Sequence, residues 1–386
     1  MYTIAVLIQR KLVPSLLSAL RVTKLLRVNG APRCGKTVLA AQLQARLDPD
    51  CPVLNARRAD ALELLARAFA ERPLTYLICD DADPAFAELL AAFQARQQAS
   101  QAAAGLSANP TRAVLLGGAF SGDADFELQP LSLFELGAGS WRKHWFRGGL
   151  PEAYFAGGDA LAMATLRDYE ATLALSLASR RRDGLSLQGA HKLVRALASG
   201  QGRACNENAL SLDSGVSRTS VVHALEGLRA LGMLRRLEAY AEDGAHRRKS
   251  SSPLYYLRDQ GLAHAVLGMQ DGADPGLHGA TAAASWQAYV IEQAAAALPP
   301  DARLCHYASA DGAALEAVIS REGQAPLAAS IRRYPGAAAP RGAANAAERL
   351  GIARRYLVCP EGRGRELSRG FTELNLPRFL ELLEAF

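Results

Sequence analysis

A glycine-rich octapeptide constrains the fold of this chain more than any other stretch of its sequence. The letters GAPRCGKT occupy residues 30–37 and fit the pattern G-x-x-x-x-G-K-[ST] in full. Such a loop works between a buried strand and the first turn of a helix, because backbone N–H groups and the helix dipole converge there on one phosphate. The flanks fit, since KLLRVN before the loop predicts a strand and KTVLAAQLQARL after it carries apolar residues at helical spacing.

The motif predicts a separate role for each part of the loop. Lys36 would neutralise β- and γ-phosphate oxygens, and Thr37 would hold a magnesium ion. The predicted nucleotide-binding residues are Gly30, Ala31, Pro32, Arg33, Cys34, Gly35, Lys36, Thr37 and Val38. No N-K-x-D-like motif follows, which favours adenine over guanine, so ATP and Mg²⁺ are the expected cofactors. The alternative is a glycine turn that no longer binds a nucleotide.

An acidic strand end follows in LTYLICDDAD. Asp80 ends the predicted strand, where its carboxylate would hold magnesium together with Thr37. Asp81 stands where a P-loop ATPase usually has a glutamate that orients the attacking water, and its side chain is one methylene shorter. We therefore predict Asp81 as a catalytic residue that supports only slow hydrolysis. The alternative is that Asp81 and Asp83 form a helix N-cap or a turn before Pro84.

The pattern of the chain predicts three domains, which its 386 residues can accommodate. TYLIC and AVLLG are short apolar runs with helical patterns nearby, as in a parallel sheet covered by helices. ARQQASQAAAGLSANP, between them, predicts a frayed helix end and an exposed loop. Pro, Gly and aromatic residues then replace the sheet pattern. The predicted domains are residues 1–138, 139–275 and 276–386.

A helix-turn-helix pattern with a hairpin wing occupies residues 206–253. Ser217 is the predicted N-cap of the recognition helix, and EDG at 242–244 is the turn between strands LRRLEAY and SPLYYL. The residues expected to be exposed on the helix are Arg218, Thr219, Ser220 and His223, and those on the wing are Arg247, Arg248 and Lys249. Duplex DNA phosphates are the expected partner. The alternative is a module used only for packing or subunit contacts.

The order of these motifs resembles a family of prokaryotic AAA-type ATPases. It is carried over nearly the whole chain by GAPRCGKT, CDDAD, PLSLFEL, GGLPEAY, RDYEATL and YYLRDQGLAHAVLG. The resemblance implies an α/β fold in which a P-loop NTPase parallel sheet with helices on both faces is followed by a winged-helix module and a small nuclease-like α/β domain. The mechanism that we expect is a nucleotide-controlled conformational switch; the alternative is a DNA- or protein-binding scaffold with a vestigial P-loop.

Departures from the family pattern concern hydrolysis. Leu116-Gly117-Gly118 stands where the family usually has Thr-Gly-Ser, and Gly122-Asp123 stands where it has a Gly-Arg pair. The resemblance therefore implies that a polar sensor of the γ-phosphate and an arginine finger are both missing. Together with Asp81, these departures predict a protein that binds ATP and turns it over inefficiently.

The nuclease-like domain departs further from the family pattern. GAALEAVIS falls where the family often has G-x-E-x-D and retains only Glu316, while APLAASIRR has Ala and Ser in place of E-x-K. Such nucleases need several carboxylates and a lysine to bind metal and activate water. The domain is therefore expected to be a structural or binding remnant without nuclease activity.

Composition bounds the remaining expectations. With 49% apolar and 21% charged residues and no apolar run of about 20, the chain is expected to be a soluble globular protein without a membrane partner. YTIAVLI lacks a preceding basic region, so a cytoplasmic location is expected. The six cysteines form no CxxC pair and predict reduced, mostly buried thiols. The net charge of +6 permits a nucleic-acid partner, while a protein partner and oligomer formation are left open.

Overall fold

A computed structural model describes residues 8–71, 74–103, 111–117, 122–179, 184–203, 206–241, 252–272, 279–336 and 338–386. The chain divides into two compact units, of which the first ends at Leu131 and the second begins at Ser132. Each unit is described separately. The division into three domains with boundaries at 138 and 275 stays a prediction.

The first unit is built around a five-stranded parallel sheet in the order β2-β3-β4-β1-β5. Its strands are β1 (Leu25–Gly30), β2 (Val53–Asn55), β3 (Tyr76–Asp80), β4 (Arg112–Leu116) and β5 (Ala124–Leu128). Its helices are α1 (Val13–Ala19), α2 (Lys36–Leu47), α3 (Ala61–Glu71) and α4 (Pro84–Ala103). The strand, loop and helix around the glycine-rich loop are β1, residues 31–35 and α2.

The central strands confirm the predicted sheet. In both β3 and β4 the last four residues are buried in succession. Because successive side chains point to opposite faces of a sheet, both faces of these strands are covered. Leu77, Cys79, Ala113 and Leu115 pack with Leu65 of α3 in one apolar cluster. Helix α4 ends at Ala103, within the stretch that was predicted to contain a frayed helix end and an exposed loop; residues 104–110 lie outside the described residues.

The second unit begins with helices and a hairpin. The helices are α5 (Leu133–Leu136), α6 (Trp141–Arg147), α7 (Pro151–Tyr154), α8 (Asp159–Ala178), α9 (Leu187–Ser199), α10 (Glu207–Ser214), α11 (Arg218–Ala230) and α12 (Gln260–Leu267). Strands β6 (Leu234–Leu237) and β7 (Leu254–Leu257) pair antiparallel. Ser217 caps α11 as predicted, because its hydroxyl oxygen accepts the N–H of Ser220 at 3.2 Å.

A buried aspartate joins two of the stretches that carry the family resemblance. Asp259 of YYLRDQG accepts N–H groups of Gly149 at 2.8 Å and Leu150 at 3.1 Å from GGLPEAY, and it also accepts the N–H of Leu262 to cap α12. Gly148 has a φ of 75°, and a Cβ there would lie 2.0 Å from an Asp259 carboxylate oxygen. Burial raises the pKa of Asp259, and these backbone donors oppose the rise. The two stretches therefore form one structural junction.

The second unit ends in a mixed α/β region. Its elements are α13 (Gly279–Ala297), β8 (Arg303–Ala308), β9 (Ala314–Ser320), β10 (Leu327–Ile331), α14 (Arg341–Arg349), β11 (Arg354–Val358), β12 (Arg363–Glu366), β13 (Phe371–Leu374) and α15 (Leu376–Glu384). The six strands lie in the order β12-β13-β11-β10-β9-β8. Strand β9 is antiparallel to both neighbours, and β10, β11 and β13 run parallel. The expected second α/β sheet is therefore present.

Two compositional expectations can be compared with the described part of the chain. No helix among the residues that are described is long and apolar enough to cross a bilayer. Cys34, Cys51, Cys79, Cys305 and Cys359 are free and buried, as expected. Cys205 lies outside the described residues.

Candidate phosphate-binding site

Both glycines of the octapeptide have a steric reason. Gly30 ends β1 so close to β5 that a Cβ would lie 2.4 Å from the carbonyl oxygen of Leu128. Gly35 precedes α2 with a φ of 103°, in the left-handed region that favours glycine. The sequence therefore turns sharply from the sheet into the helix, and the first N–H groups of α2 lie at the loop.

Two non-glycine residues of this region have left-handed backbones. Arg33 in the loop has a φ of 61°, and Asp81 after β3 has a φ of 55°. Among the described non-glycine residues, Arg369 alone shares this property. Such a conformation costs roughly 1–3 kcal/mol and is concentrated at ligand and catalytic sites. Two of the three described residues of this kind therefore lie in the loop and directly after β3.

Positive charge is fixed at the loop by its own backbone. The Lys36 ammonium donates to the carbonyl oxygens of Gly30 and Ala31, both at 3.0 Å. Lys36, Thr37 and Val38 form the first turn of α2, where N–H groups have no acceptor within the helix and the dipole favours an anion. Cys34 is fully buried, and burial raises the pKa of its thiol, so it remains neutral beside this charge.

The two predicted magnesium ligands are brought together. The Thr37 hydroxyl donates to a carboxylate oxygen of Asp80 at 2.5 Å. They meet because β1 and β3 run parallel and their carboxyl ends lie at the same edge of the sheet. Asp80 is buried, and its other oxygen accepts the N–H of Asp81 at 3.0 Å. Hydroxyl and carboxylate oxygens are donors that suit Mg²⁺, so this pair fits the expected ion.

Asp81 is held by two residues that the sequence did not reveal. The amide of Asn55, at the end of β2, donates to one Asp81 oxygen at 3.3 Å. The guanidinium of Arg57 lies 3.9 Å from the other oxygen. The carboxylate is therefore oriented by the neighbouring strand. An amide residue at the end of a strand was the available signal for Asn55, but its partner is 26 residues away in sequence.

Asp81 and Asp83, which follow β3, have different roles in the structure. Asp83 accepts the N–H of Phe86 at 2.8 Å and caps α4, which begins at Pro84. Asp81 contacts Asn55 instead. The capping role therefore belongs to Asp83, and the Asp81 carboxylate is directed to Asn55 and Arg57.

A buried arginine fastens the loop to the sheet. Arg10 is 4% exposed, and its guanidinium donates to the carbonyl oxygens of Cys34 at 2.9 Å and Gln129 at 2.5 Å. Its backbone N–H also donates to Gln42 of α2 at 3.0 Å. The segment before β1 therefore supports the loop, although nothing in its sequence pattern distinguished this arginine from a solvated one.

The described residues of the two stretches that depart from the family pattern, 116–118 and 122–123, lie at opposite edges of the sheet. Leu116 is fully buried, and the N–H of Gly117 donates to the carbonyl of Val28 at 3.0 Å, beside the loop; Gly118 lies outside the described residues. Asp123 precedes β5 and accepts the N–H groups of Lys24 and Leu25 at 2.9 Å. These residues mark the amino ends of the parallel strands. Residue 123 is therefore remote from the loop of its own chain.

The predicted DNA-contacting residues of α11 differ in exposure. Arg218 and Thr219 are exposed, and Arg218 lies 3.8 Å from Glu207. The expectation for Ser220 is wrong, because it is 7% exposed and its hydroxyl bonds Ser217 at 2.8 Å. His223 is half-buried. The wing residues Arg247, Arg248 and Lys249 and the turn at 242–244 lie outside the described residues.

Glu316 of the second sheet is engaged by a neighbouring arginine. One oxygen accepts from Arg332 at 2.6 Å, and the other accepts the N–H of Ile331 at 3.2 Å. Ser330 on the adjacent strand is fully buried. Within the residues that the structure describes, no group of three or more His, Cys, Asp and Glu side chains could hold a metal ion.

Comparisons with known proteins match different parts of the chain. A family profile described as a domain of unknown function (DUF8612) matches residues 138–273. Uncharacterised proteins of Mycobacterium tuberculosis and Mycobacterium bovis are each 27% identical over 362 residues, covering 89% of this chain and 78% of theirs. The profile match lies after the parallel sheet and contains the Asp259 junction.

Two solved structures share similarity with the chain. A Walker-type ATPase of Pyrococcus abyssi is 14% identical, with a TM-score of 0.43, over 68% of this chain and 96% of its own. The RuvB Holliday junction branch migration motor of Thermotoga maritima is 18% identical, with a TM-score of 0.31, over 59% of this chain and 90% of its own.

Proposed function

We propose that this protein binds Mg-ATP at the loop formed by residues 30–38 and uses it as a conformational switch. The observation that carries the proposal is the contact of Thr37 with Asp80 at the edge of the sheet where α2 begins. This contact places two oxygen donors for a metal beside a lysine and a helix N-terminus. A vestigial glycine turn has no need for this combination.

Each residue then has a defined task. Lys36, which donates to the loop carbonyls, would contact β- and γ-phosphate oxygens, and α2 would supply backbone N–H groups. Thr37 and Asp80 would hold a magnesium ion, which would neutralise phosphate charge. Arg10 holds the loop backbone in place through the Cys34 carbonyl. The adenine base remains the expected base.

We propose that hydrolysis is slow. Asp81 is the candidate for orienting water, but its carboxylate is short and is turned toward Asn55 and Arg57. A buried leucine at 116 supplies no polar contact to a γ-phosphate. These features support a site in which ATP stays bound for longer than in an efficient ATPase. A long-lived ATP-bound state suits a conformational switch.

Calorimetric titration with Mg-ATP tests the binding proposal. Lys36→Ala should abolish binding, because the loop then lacks the side chain that faces the terminal phosphates. Lys24→Ala is the matched control, since Lys24 is an exposed lysine at the other end of β1 and should leave binding unchanged. Absence of binding to the unaltered protein at millimolar ATP would favour the alternative of a scaffold with a vestigial loop.

A second proposed activity concerns the winged-helix module at 206–253. The antiparallel β6–β7 hairpin after α11 and the exposed Arg218 support weak binding of duplex DNA phosphates. A packing or subunit role is the alternative. A cytoplasmic location is also proposed, and a protein partner and oligomer formation are left open. The nuclease-like region is proposed to have no nuclease activity, a view supported by the pairing of Glu316 with Arg332.

A further inference from the structure

A cavity of about 460 Å³ opens in the second unit, where the end of α11 meets the β6–β7 hairpin. Its charged lining consists of Arg229 from the last turn of α11, Arg235 and Arg236 from β6, Arg258 after β7, and Glu226. Four arginines and one glutamate thus contribute to the lining of one concave surface. The proposed role of the winged helix does not use this cavity.

Glu292 of α13 fixes two of these arginines. Its carboxylate accepts from Arg235 at 2.5 and 3.0 Å and from the Nε of Arg258 at 2.7 Å. The side chains of Glu292 and Arg258 are 7% and 6% exposed, and that of Arg235 is 22% exposed. One carboxylate therefore orients two guanidinium groups, each with five N–H donors in a rigid fork. Two arginines of the cavity lining are thus held in place around one carboxylate.

The charges around the cavity do not cancel. Arg236 lies 3.3 Å from Glu238, and Glu226 lines the cavity itself. The C-terminal end of α11 adds a partial negative charge, and Arg229 lies in its last turn. Among the described residues, four arginines line the cavity, and three glutamates pair with them or share the lining. An anion that enters the cavity would therefore complete its charge balance.

We propose that this cavity binds the phosphate group of a small phosphorylated ligand. Arginine forks match phosphate oxygens in pairs, and a phosphate monoester carries about −1.5 to −2 charge at neutral pH. The volume lies in the range of about 300–1,000 Å³ that is typical of small-molecule sites. Arg235 and Arg258 are recessed, which suits a compact anion better than a polymer backbone.

Pyrophosphate titration by calorimetry tests this site in the full chain carrying Lys36→Ala, which removes the binding expected at loop 30–38. In that background Arg229→Gln should weaken pyrophosphate binding by about tenfold, and Arg229→Gln with Arg236→Gln by about a hundredfold. Arg341→Gln removes the same charge from an exposed position on α14 and should change nothing. Arg229 and Arg236 are exposed, so their replacement should leave the midpoint of thermal unfolding unaltered.

Three results would overturn the proposal. The first is no detectable pyrophosphate binding to the Lys36→Ala protein at millimolar concentration. The second is equal affinity in the double arginine variant and its Arg341→Gln control. The third concerns the source of the phosphate: duplex DNA that displaces pyrophosphate at equal phosphate concentration, and loses affinity equally in the double variant, would assign the cavity to a nucleic-acid surface.

Discussion

Asp81 combines a left-handed backbone with a side chain tethered to Asn55, and its chemistry follows from this position. Its neighbour Asp80 is buried and bonds Thr37, so the two adjacent carboxylates have different surroundings.

The Thr37–Asp80 pairing was predictable from the sequence, because parallel strands bring their carboxyl ends to one edge of the sheet. Sequence spacing could not separate Asp81 from Asp83, since both precede Pro84 closely. Arg10 and Asn55 were missed because their partners are distant in sequence.

Lengthening the candidate catalytic carboxylate should raise the rate of ATP hydrolysis. Asp81→Glu adds one methylene, which lets the carboxylate reach farther toward an attacking water, and we expect about a tenfold faster steady-state rate. Asp83→Ala is the control: it should cost about 1 kcal/mol of stability as a lost helix cap and leave the rate unchanged. Robust hydrolysis by the unaltered protein that is lost in Asp81→Ala would instead make the aspartate an efficient catalytic group.

At the scale of elements, the buried ion cluster joins α13 to the β6–β7 hairpin. Burial raises the pKa of Glu292, but Arg235 and Arg258 outweigh it and lower the pKa to about 2. The folded pKa is thus depressed below its ordinary value of about 4.3. The stability from this cluster is therefore present above about pH 4.3 and is lost as the pH falls through about 2. No local pattern revealed the cluster, because its members come from three separate elements.

Glu292→Gln should remove this pH dependence and weaken the fold. At neutral pH, glutamine keeps one acceptor oxygen but removes the negative charge that buried Arg258 and half-buried Arg235 share. We therefore expect a loss of about 3–5 kcal/mol in the free energy of unfolding. Urea denaturation at pH 7 and pH 3 measures both effects. Glu381→Gln, at an exposed position on α15, is the control and should retain the unaltered profile. An unchanged unfolding free energy in Glu292→Gln would contradict the argument.

The recognition helix α11 and the predicted wing are expected to contact DNA phosphates together. Exposed Arg218 with Arg247, Arg248 and Lys249 would make four phosphate contacts, which predicts a slope of about −3 to −4 for log affinity against log salt. Changing the three wing residues to Ala should make the slope shallower by about three, as measured by fluorescence anisotropy with duplex DNA. Arg341→Gln serves as a charge control. Binding that is undetectable at low salt, or is unaltered by the triple change, would favour a packing module.

For the whole molecule, the sequence predicted the sheet unit better than the region after it. A complete loop motif and short apolar strands specify local structure, and parallel pairing follows from the helices between the strands. In the second unit, the hairpin and the second sheet were expected, but the Asp259 junction between residues 148–150 and 259–262 depends on long-range backbone donors. Such contacts leave no periodic signal in the sequence.

The magnesium dependence of ATP affinity tests the central claim most directly. Calorimetry of the unaltered protein should show ATP binding at least about tenfold tighter with Mg²⁺ than with a chelator. Thr37→Val and Asp80→Asn should each reduce this ratio toward one, while Thr172→Val on an exposed face of α8 should retain it. ATP binding that is equally tight with and without Mg²⁺, or a ratio that survives both substitutions, would contradict a Thr37–Asp80 magnesium site.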